Sequence, residues 1–339
     1  MRVLQVGHHQ IRKYGNIRVS WTQKLFFGLI RNGHCVQPFS DRDVAAFEAP
    51  LGIRELGKGA SNKRLLQTAN SFEPDVVIVG HSDIITNDTL ISIRKQFPNV
   101  VIIGANCDPL FVPDNVAKIA HRCEVVDAMF VSSGDKELEQ FQGKRARLYH
   151  MPNPIDSSVE TFDVTELAEF EQDLVFCSKA TDNSTRAQFV NYLKENLSSD
   201  VRFATPGNFG QPGVWGRDYD HLLAKSKMGL NLNRQEGFHW YSSDRMVQLV
   251  GNGLLTFTHA SAEFDTLFPE ETLVYFDTEK ELLDLVEEFN RDDNKRIKWA
   301  KKAREYFHQE MNSTLYAQYI LEAGLQEKYT HPYIWATPV

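Results

Sequence analysis

The sequence lacks the features that define several large classes of protein. No apolar stretch approaches the ~20 residues that a helix needs to span a bilayer, and the apolar run at the start of the chain, within MRVLQVGHH, is too short for a signal peptide. The four cysteines stand far apart without Cys-x-x-Cys spacing, which predicts buried free thiols rather than disulfides or a metal site. We therefore expect a cytoplasmic protein.

Several catalytic and binding motifs are also missing. The chain has no Walker P-loop, no H-E-x-x-H and no G-x-S-x-G, and the loop after its first strand lacks G-x-G-x-x-G, which argues against a dinucleotide oxidoreductase. No basic and aromatic module typical of nucleic-acid binding is present. Asp41-Arg42-Asp43 has D-x-D spacing, but it follows a strand and precedes helix-like residues, so helix capping explains it better than a metal. We expect neither a metal, nor a cofactor, nor a nucleic-acid partner.

Positive charge is concentrated near the N-terminus. Residues 1–65 carry 11 Lys/Arg against 4 Asp/Glu, whereas the whole chain has a net charge of −8. Such a basic segment attracts anions, which predicts contact with an anionic acceptor or with lipid headgroups at the inner face of a membrane. A solvated helical face explains the same pattern equally well.

Short apolar runs alternate with helical patterns along the chain. The runs at 75–79 (DVVIV) and 100–103 (VVII) are each followed by a glycine. Strands that alternate with helices at this spacing predict parallel sheets with right-handed crossovers. Pro152-Asn153-Pro154 breaks the pattern, because two prolines so close together continue neither a helix nor a central strand. We place a hinge here, between two Rossmann-like domains.

The segment 228–257, MGLNLNRQEGFHWYSSDRMVQLVGNGLLTF, carries the densest group of polar candidates. A buried strand at 228–232 leads into a charged loop, a helix over 244–250 and a second strand over 254–257, which together form a βαβ element. In open α/β sheets, ligands bind outside the carboxyl ends of the strands. The charged loop therefore predicts a ligand site that can hold a sugar nucleotide.

Two runs in this segment, LNLNR (230–234) and RMVQLVGNGLLT (245–256), resemble the C-terminal part of GT-B glycosyltransferases, in particular the CgeB-like (spore-maturation) branch of the GT-4-type group. The resemblance implies an α/β, GT-B fold in which two Rossmann-like, doubly wound domains face a cleft, with long C-terminal helices. We expect an acceptor-side domain over residues 1–155 and a nucleotide-sugar domain over residues 156–320. The tail, residues 321–339, is expected to pack back on the N-terminal domain.

A glycosyltransferase must hold a leaving nucleotide phosphate, and positive side chains or helix N-termini do this without a metal. The candidates are Lys179, Arg186, Arg234 and Arg245. Arg245 falls in the first turn of a helix, where a cation is unfavourable unless it serves a ligand. Arg186 is interpreted as a surface helix residue. Gln248 stands where the family resemblance implies a glutamate that binds the donor ribose, so the nucleotide is left open.

The aromatic run His239-Trp240-Tyr241 lies in the same polar loop. Aromatic rings of this kind stack on a base or on a sugar face. We assign His239 and Tyr241 to donor binding, and we expect one of the three rings to anchor the loop to the core.

Four residues are candidates for the chemistry itself. Glu236 matches the first acid of the E-x7-E pattern of retaining GT-B enzymes, although a loop carboxylate paired with Arg234 explains it equally well. Asp244 is either the second acid of that pattern or the N-cap of the helix that follows it. His8, after the first strand, is a candidate base or acceptor contact. Asp108 matches an acid that this branch often has before a proline.

The resemblance implies a retaining, metal-independent glycosyltransferase that uses a UDP, GDP, dTDP or CMP sugar. Its acceptor would be a saccharide or glycolipid in bacterial surface polysaccharide assembly. Two alternatives stay open: a sugar-nucleotide epimerase or hydrolase on the same scaffold, and a sugar-binding protein without catalytic activity.

Overall fold

The protein, seen in a computed structural model, is described over residues 1–13, 19–178 and 184–336. The chain divides into two compact units. Unit 1 comprises Met1–Pro152 together with Ser313–Val339, and unit 2 comprises Asn153–Asn312. Each unit is an α/β structure built around one parallel sheet.

Unit 1 contains a six-stranded sheet of order β2-β1-β3-β4-β5-β6, in which every neighbouring pair is parallel. Its strands are β1 (Arg2–Gly7), β2 (Cys35–Ser40), β3 (Val76–Val79), β4 (Val101–Asn106), β5 (Ala128–Val131) and β6 (Arg147–His150). The central strand β3 has the sequence VVIV and is buried along its whole length. Such a continuous apolar run is typical of a parallel strand that is covered on both faces.

The helices of unit 1 connect these strands and cover the sheet. They are α1 (Trp21–Arg31), α2 (Asp41–Phe47), α3 (Lys58–Phe72), α4 (Asn87–Gln96), α5 (Pro113–Arg122), α6 (Asp135–Leu138) and, from the far end of the chain, α12 (Ser313–Leu325).

Helix α12 is packed into unit 1 by close contacts with α1 and β4. A Cβ atom at Gly28 of α1 would lie 1.9 Å from the carbonyl oxygen of Ser313, and one at Gly324 would lie 2.3 Å from Cδ1 of Ile103. Arg31 also donates a hydrogen bond from Nη1 to Oγ of Ser313 (3.0 Å). The C-terminal helix is therefore an integral part of the unit that the N-terminus begins.

Unit 2 contains a five-stranded parallel sheet of order β11-β10-β9-β7-β8. Its strands are β7 (Gln172–Val175), β8 (Phe203–Ala204), β9 (Ser226–Asn231), β10 (Leu255–His259) and β11 (Val274–Phe276). Its helices are α7 (Thr185–Asn196), α8 (Arg217–Leu223), α9 (Asp244–Gly251), α10 (Glu279–Arg291) and α11 (Asp293–Glu310). The core includes Leu230 and Phe257 from adjacent strands and Phe289 from α10, all buried.

The predicted α/β fold with two parallel sheets is confirmed, but two details differ from the sequence analysis. The change of unit falls after Pro152 rather than after Ile155, and the segment 313–320, assigned by sequence to the C-terminal domain, belongs to unit 1. The cysteines are free thiols, as predicted, yet only Cys123 is buried and Cys35 is exposed. Among the described helices, none combines the length and the apolar composition that crossing a bilayer requires.

Candidate functional site

The candidate site of unit 2 lies where β9 and β10 end. Asn231, the last residue of β9, donates from Nδ2 to Oγ1 of Thr258 in β10 (3.0 Å) and accepts at Oδ1 from Oγ of Ser242 (3.3 Å). Asn233 donates from Nδ2 to the carbonyl oxygen of Tyr241 (3.3 Å). These buried amides tie both ends of the loop 232–243 to the sheet, which fixes the charged side chains that the loop carries.

Trp240 anchors this loop. Its backbone N donates to the carbonyl oxygen of Ala262 (2.8 Å), and its indole Nε1 donates to Oγ1 of Thr266 (2.9 Å). The sequence predicts that one of the three aromatic residues anchors the loop. Trp240, the one that was not assigned to donor binding, is that anchor. The rings of His239 and Trp240 are stacked with centroids 4.5 Å apart, and His239 and Tyr241 are both buried. Their contact with a base or sugar stays a prediction.

Arg245, the second residue of α9, is held across the carboxyl edge of the sheet. It donates from Nη1 to the carbonyl oxygen of Leu232 (3.0 Å) and from Nε to that of Cys177 (3.3 Å). Its guanidinium lies 5.0 Å from the ring centroid of Phe176. Two backbone carbonyls and an aromatic face orient the cation, and burial lowers its pKa. Arginine keeps its charge at neutral pH despite such a shift.

The sequence analysis preferred a surface position for Arg186. In the structure, Arg186 lies near Arg245 instead. It is the second residue of α7 and is half-buried. Its pKa falls to about 10, first because of burial and then because of the positive charges of Arg245 and Arg234. Arg234 and Arg245 therefore both lie close enough to Arg186 to act on its charge, and Arg186 and Arg245 stand in the first turns of α7 and α9. Such a concentration of positive charge with helix N-termini favours an anion.

The sequence analysis included Arg186 among the phosphate candidates but preferred a surface position for it. The available signal was its position just after the loop that follows β7, in the first turn of a helix that begins at the carboxyl edge of the sheet. Lys179, the other phosphate candidate of this loop, lies outside the described residues.

Glu236 is oriented by Asn233. It accepts from the backbone N of Asn233 (2.8 Å) and from its Nδ2 (3.3 Å). Among the described residues, Asn233 and not Arg234 supplies its hydrogen bonds. Burial raises the pKa of Glu236, whereas these hydrogen bonds and the nearby charges of His259 and Arg245 oppose the rise. The carboxyl group is therefore a positioned, partly desolvated acid close to a cation.

Asp244 is the first residue of α9. One alternative from the sequence made Asp244 the N-cap of this helix, but Ser243 occupies that position. Oδ1 of Asp244 is buried and has no hydrogen-bond partner within the described part of the chain. Gln248 follows four residues later, so the two side chains lie on the same face of the helix. This face can offer a carboxylate oxygen and an amide to the hydroxyl groups of a ligand.

In unit 1, the sequence candidates lie at the carboxyl edge of the first sheet. Nδ1 of His81, after β3, lies 2.5 Å from Oδ2 of Asp108, after β4. Asn106 also contacts this histidine through Nδ2 (3.3 Å). Nε2 of His8 lies 3.8 Å from Oδ1 of Asp43. Asp108 therefore forms a His–Asp pair with His81, which the sequence analysis did not predict.

The acidic motif of residues 41–43 serves local structure. Asp43 accepts from the backbone N of Ile11 (2.8 Å) and from Oγ of Ser40 (2.5 Å), and Asp41 accepts from Oγ of Ser82 (2.5 Å). Within residues 1–13, 19–178 and 184–336, no group of three or more His, Cys, Asp or Glu side chains is arranged to hold a metal ion.

These features place the chain with proteins of GT-B fold. A family described as "Glycosyl transferase-like" matches residues 186–322, a range that contains the site of unit 2. Among solved structures, Anabaena HepE in complex with UDP-glucose is 12% identical over 96% of this chain and 100% of its own, with a TM-score of 0.65. Trehalose-6-phosphate synthase (OtsA) is 11% identical over 97% of this chain and 100% of its own, also with a TM-score of 0.65.

A third structure, a glycosyltransferase involved in avilamycin A biosynthesis, is 14% identical over 96% of this chain and 97% of its own, with a TM-score of 0.58. At these identities the likeness establishes the fold. No curated protein matches the chain significantly by sequence.

Proposed function

We propose that this protein is a glycosyltransferase that moves a sugar from a nucleotide donor to a saccharide or glycoconjugate acceptor. The observation that carries the proposal is the grouping of Arg234 and Arg245 around Arg186, with Arg186 and Arg245 in the first turns of two helices of unit 2. A nucleoside diphosphate leaving group gains negative charge as the glycosidic bond breaks, and preorganised cations stabilise that charge. The match of residues 186–322 to the glycosyl transferase-like family supports the same function.

The donor is proposed to be a UDP sugar. Support comes from HepE, which has the same fold and whose structures contain UDP-glucose or UDP with glucose. In this chain, the face of α9 with Asp244 and Gln248 would receive ribose or sugar hydroxyls, and Lys179 would join the arginines at the phosphates. Gln248 accepts through its amide oxygen without adding charge.

Catalysis is proposed to retain the anomeric configuration and to need no metal. Glu236 would lie beside the donor sugar, where its carboxylate stabilises positive charge that develops at the anomeric carbon. A trehalose-6-phosphate synthase of the same fold has been studied for glycosyl transfer with retention, which supports this choice. His8 and Asp108 of unit 1 would contact the acceptor.

The acceptor is proposed to belong to bacterial surface polysaccharide, handled in the cytoplasm or at the inner face of the membrane. The CgeB-like branch of the family likewise remains our prediction. Support comes from the basic excess of residues 1–65, which suits an anionic partner.

A thermal-shift screen with UDP-, GDP-, dTDP- and CMP-sugars tests the donor. A ligand at about 100 times its dissociation constant stabilises the folded state by about 2.7 kcal/mol. We expect a rise in melting temperature with UDP-glucose or UDP-galactose in the wild type and a smaller rise in Arg245→Ala. The proposal fails if no nucleotide sugar shifts the wild type. Release of UDP at full rate without an acceptor would instead favour a hydrolase.

A further inference from the structure

His259 is the last residue of β10, and the contacts of its ring determine which nitrogen carries the proton. The backbone N of Ser261 donates to Nδ1 (3.2 Å), so this nitrogen is an acceptor. Oγ of Ser261 lies 2.8 Å from Nδ1 and itself accepts from the backbone N of Gly237 (3.0 Å), which leaves the hydroxyl proton for Nδ1. In a neutral imidazole whose Nδ1 accepts, Nε2 bears the proton and is a donor.

The same contacts connect His259 with the loop that carries the candidate acid. Gly237 directly follows Glu236 and has φ +88°, a conformation that glycine adopts without strain. Its N–H group reaches Ser261, which in turn contacts His259. The histidine and the acid are therefore held in a fixed relation at the carboxyl edge of the unit 2 sheet.

Two aromatic side chains restrict the imidazole ring of His259. Phe189 of α7 meets it edge to face with ring centroids 5.6 Å apart, and Phe276 of β11 does so at 5.5 Å. Phe189 lies three residues after Arg186, so these two side chains share one face of α7. His259 therefore stands at the same edge of the sheet as the cations assigned to the phosphates, with little freedom to rotate.

Glu236 and His259 are near each other without being in contact. Burial raises the pKa of Glu236, whereas the positive charge of His259 is one of the influences that lower it. Within the described ranges of the chain, however, no hydrogen bond or ion pair joins the two side chains, and no group accepts from Nε2 of His259. A gap therefore separates a carboxylate acceptor from an N–H donor.

We propose that a hydroxyl group of the donor sugar fills this gap, donating to Glu236 and accepting from Nε2 of His259. The inference rests on the proposed nucleotide-sugar donor. A hydroxyl group fits because it donates and accepts at once, whereas a phosphate oxygen between the two groups would meet the negative charge of Glu236. His259 is thus a specificity residue, since a sugar without this hydroxyl group leaves both protein groups unpaired.

Titration calorimetry with UDP, UDP-glucose, UDP-galactose and UDP-N-acetylglucosamine tests the proposal. For the sugar nucleotide that the wild type binds most tightly, His259→Ala should weaken binding about tenfold and leave the affinity for UDP within about twofold, because UDP lacks the hydroxyl group. Retained UDP binding also shows that the variant is folded. His259→Gln should recover most of the loss, because its amide can donate in place of Nε2.

Two further variants separate binding from positioning. Ser261→Ala removes one of the two donors to Nδ1 of His259 and should weaken binding of the same sugar nucleotide about threefold, again without changing the affinity for UDP. His221→Ala, which alters an exposed histidine of α8, is the matched control and should bind every ligand like the wild type.

Sugar nucleotides that lack one hydroxyl group each identify the contact. One of them should bind the wild type about tenfold more weakly than the parent compound and should bind His259→Ala and the wild type equally, because the interaction is already absent. The remaining analogues should keep the full difference between wild type and variant.

Three results would overturn the inference while leaving the proposed function in place. Equal weakening of UDP and of the sugar nucleotide by His259→Ala would assign the histidine to the phosphates. Unchanged affinity for all four ligands would mean that it contacts none of them, and a full difference for every deoxygenated analogue would mean that no sugar hydroxyl group is involved. A wild type that binds neither UDP nor any sugar nucleotide would instead contradict the proposed function itself.

Discussion

Glu236 and Asn233 are joined twice, since the carboxylate accepts from both the backbone N and the side-chain Nδ2 of the same asparagine. This double contact holds the acid in one orientation at the end of β9, next to the charge of Arg245. An acid fixed in this way can act on a developing charge without first reorganising.

Glu236→Gln should lower turnover while leaving nucleotide affinity close to that of the wild type. The amide keeps the shape and one acceptor but removes the negative charge, so we expect turnover to fall tenfold or more, about 1.4 kcal/mol of barrier. Steady-state kinetics with the cognate donor, together with titration calorimetry, separate the two effects. Glu270→Gln, an exposed residue of unit 2, is the matched control. A fully active Glu236→Gln enzyme would make this acid a structural loop residue.

The arginine cluster predicts losses of nucleotide binding. Arg186→Ala and Arg245→Ala should each weaken UDP binding by roughly 1.5–3 kcal/mol, because each removes a charge-assisted contact. Lys179→Ala is expected to act in the same direction. Titration calorimetry with UDP measures the effect, and Arg217→Ala, which removes an exposed cation paired with Asp220, should change nothing. Unchanged affinity in the two cluster variants would remove the site.

Metal removal should leave the reaction intact. In the proposed site, guanidinium groups and helix N-termini would supply the positive charge that a divalent cation can otherwise supply, so activity should survive EDTA. The measurement is the initial rate before and after chelation by EDTA. Mg²⁺ or Mn²⁺ is then added back to see whether either ion changes the rate. Loss of turnover in EDTA that either ion restores would contradict the expectation and would reopen the acidic residues 41–43 as metal ligands.

Asp173 predicts a pH dependence of stability. Burial alone would raise the pKa of this carboxyl, but hydrogen bonds from Arg202 (2.8 Å) and the charge of Lys227 (3.1 Å) lower it from 3.8 to about 2. A lowered pKa in the folded state stabilises the protein above pH 4, and this contribution is lost as the pH falls towards 2.

Asp173→Asn should therefore reduce the free energy of unfolding by roughly 1–2 kcal/mol at pH 7, a value discounted because Arg202 is half exposed. The difference from the wild type should narrow between pH 4 and pH 2. Denaturant titrations followed by circular dichroism measure it, with the exposed Asp284→Asn as control. If Asp173→Asn reduced the free energy of unfolding equally at pH 7 and at pH 2, the shape of the side chain and not its charge would matter at this position.

Local rules predicted those parts of the structure that local interactions determine. The pattern Thr278-x-x-Glu281 is the sequence signature of a capping box at a helix N-terminus. In the structure, Oγ1 of Thr278 accepts from the backbone N of Glu281 (3.2 Å) and is the N-cap of α10. The capping box is displaced by one residue, because the Glu281 carboxylate accepts from the backbone N of Asp277 rather than from that of Thr278. The parallel sheets were likewise predicted from a pattern along the chain, the alternation of strands and helices.

Contacts between distant segments were beyond such rules. Arg186 lies far from Arg234 and Arg245 along the chain, so its helix pattern carried no sign of the two cations that lower its pKa. The pairing of Asp108 with His81 likewise depends on β3 and β4 being neighbours in the sheet. Sequence patterns identified the edge of the sheet where ligands bind, but tertiary packing selected the partners.

The return of α12 to unit 1 determines the order in which the protein can be completed during synthesis. Unit 2 is continuous from Asn153 to Asn312, so all of it leaves the ribosome before the helix that covers α1 and β4. A nascent chain therefore carries a finished second unit attached to a first unit whose apolar face is still open. That face is covered only once α12 has been synthesised, which is after the whole of unit 2. The folding of unit 1 is therefore completed later than the synthesis of its sheet, and chains truncated near residue 312 should be substrates for chaperones.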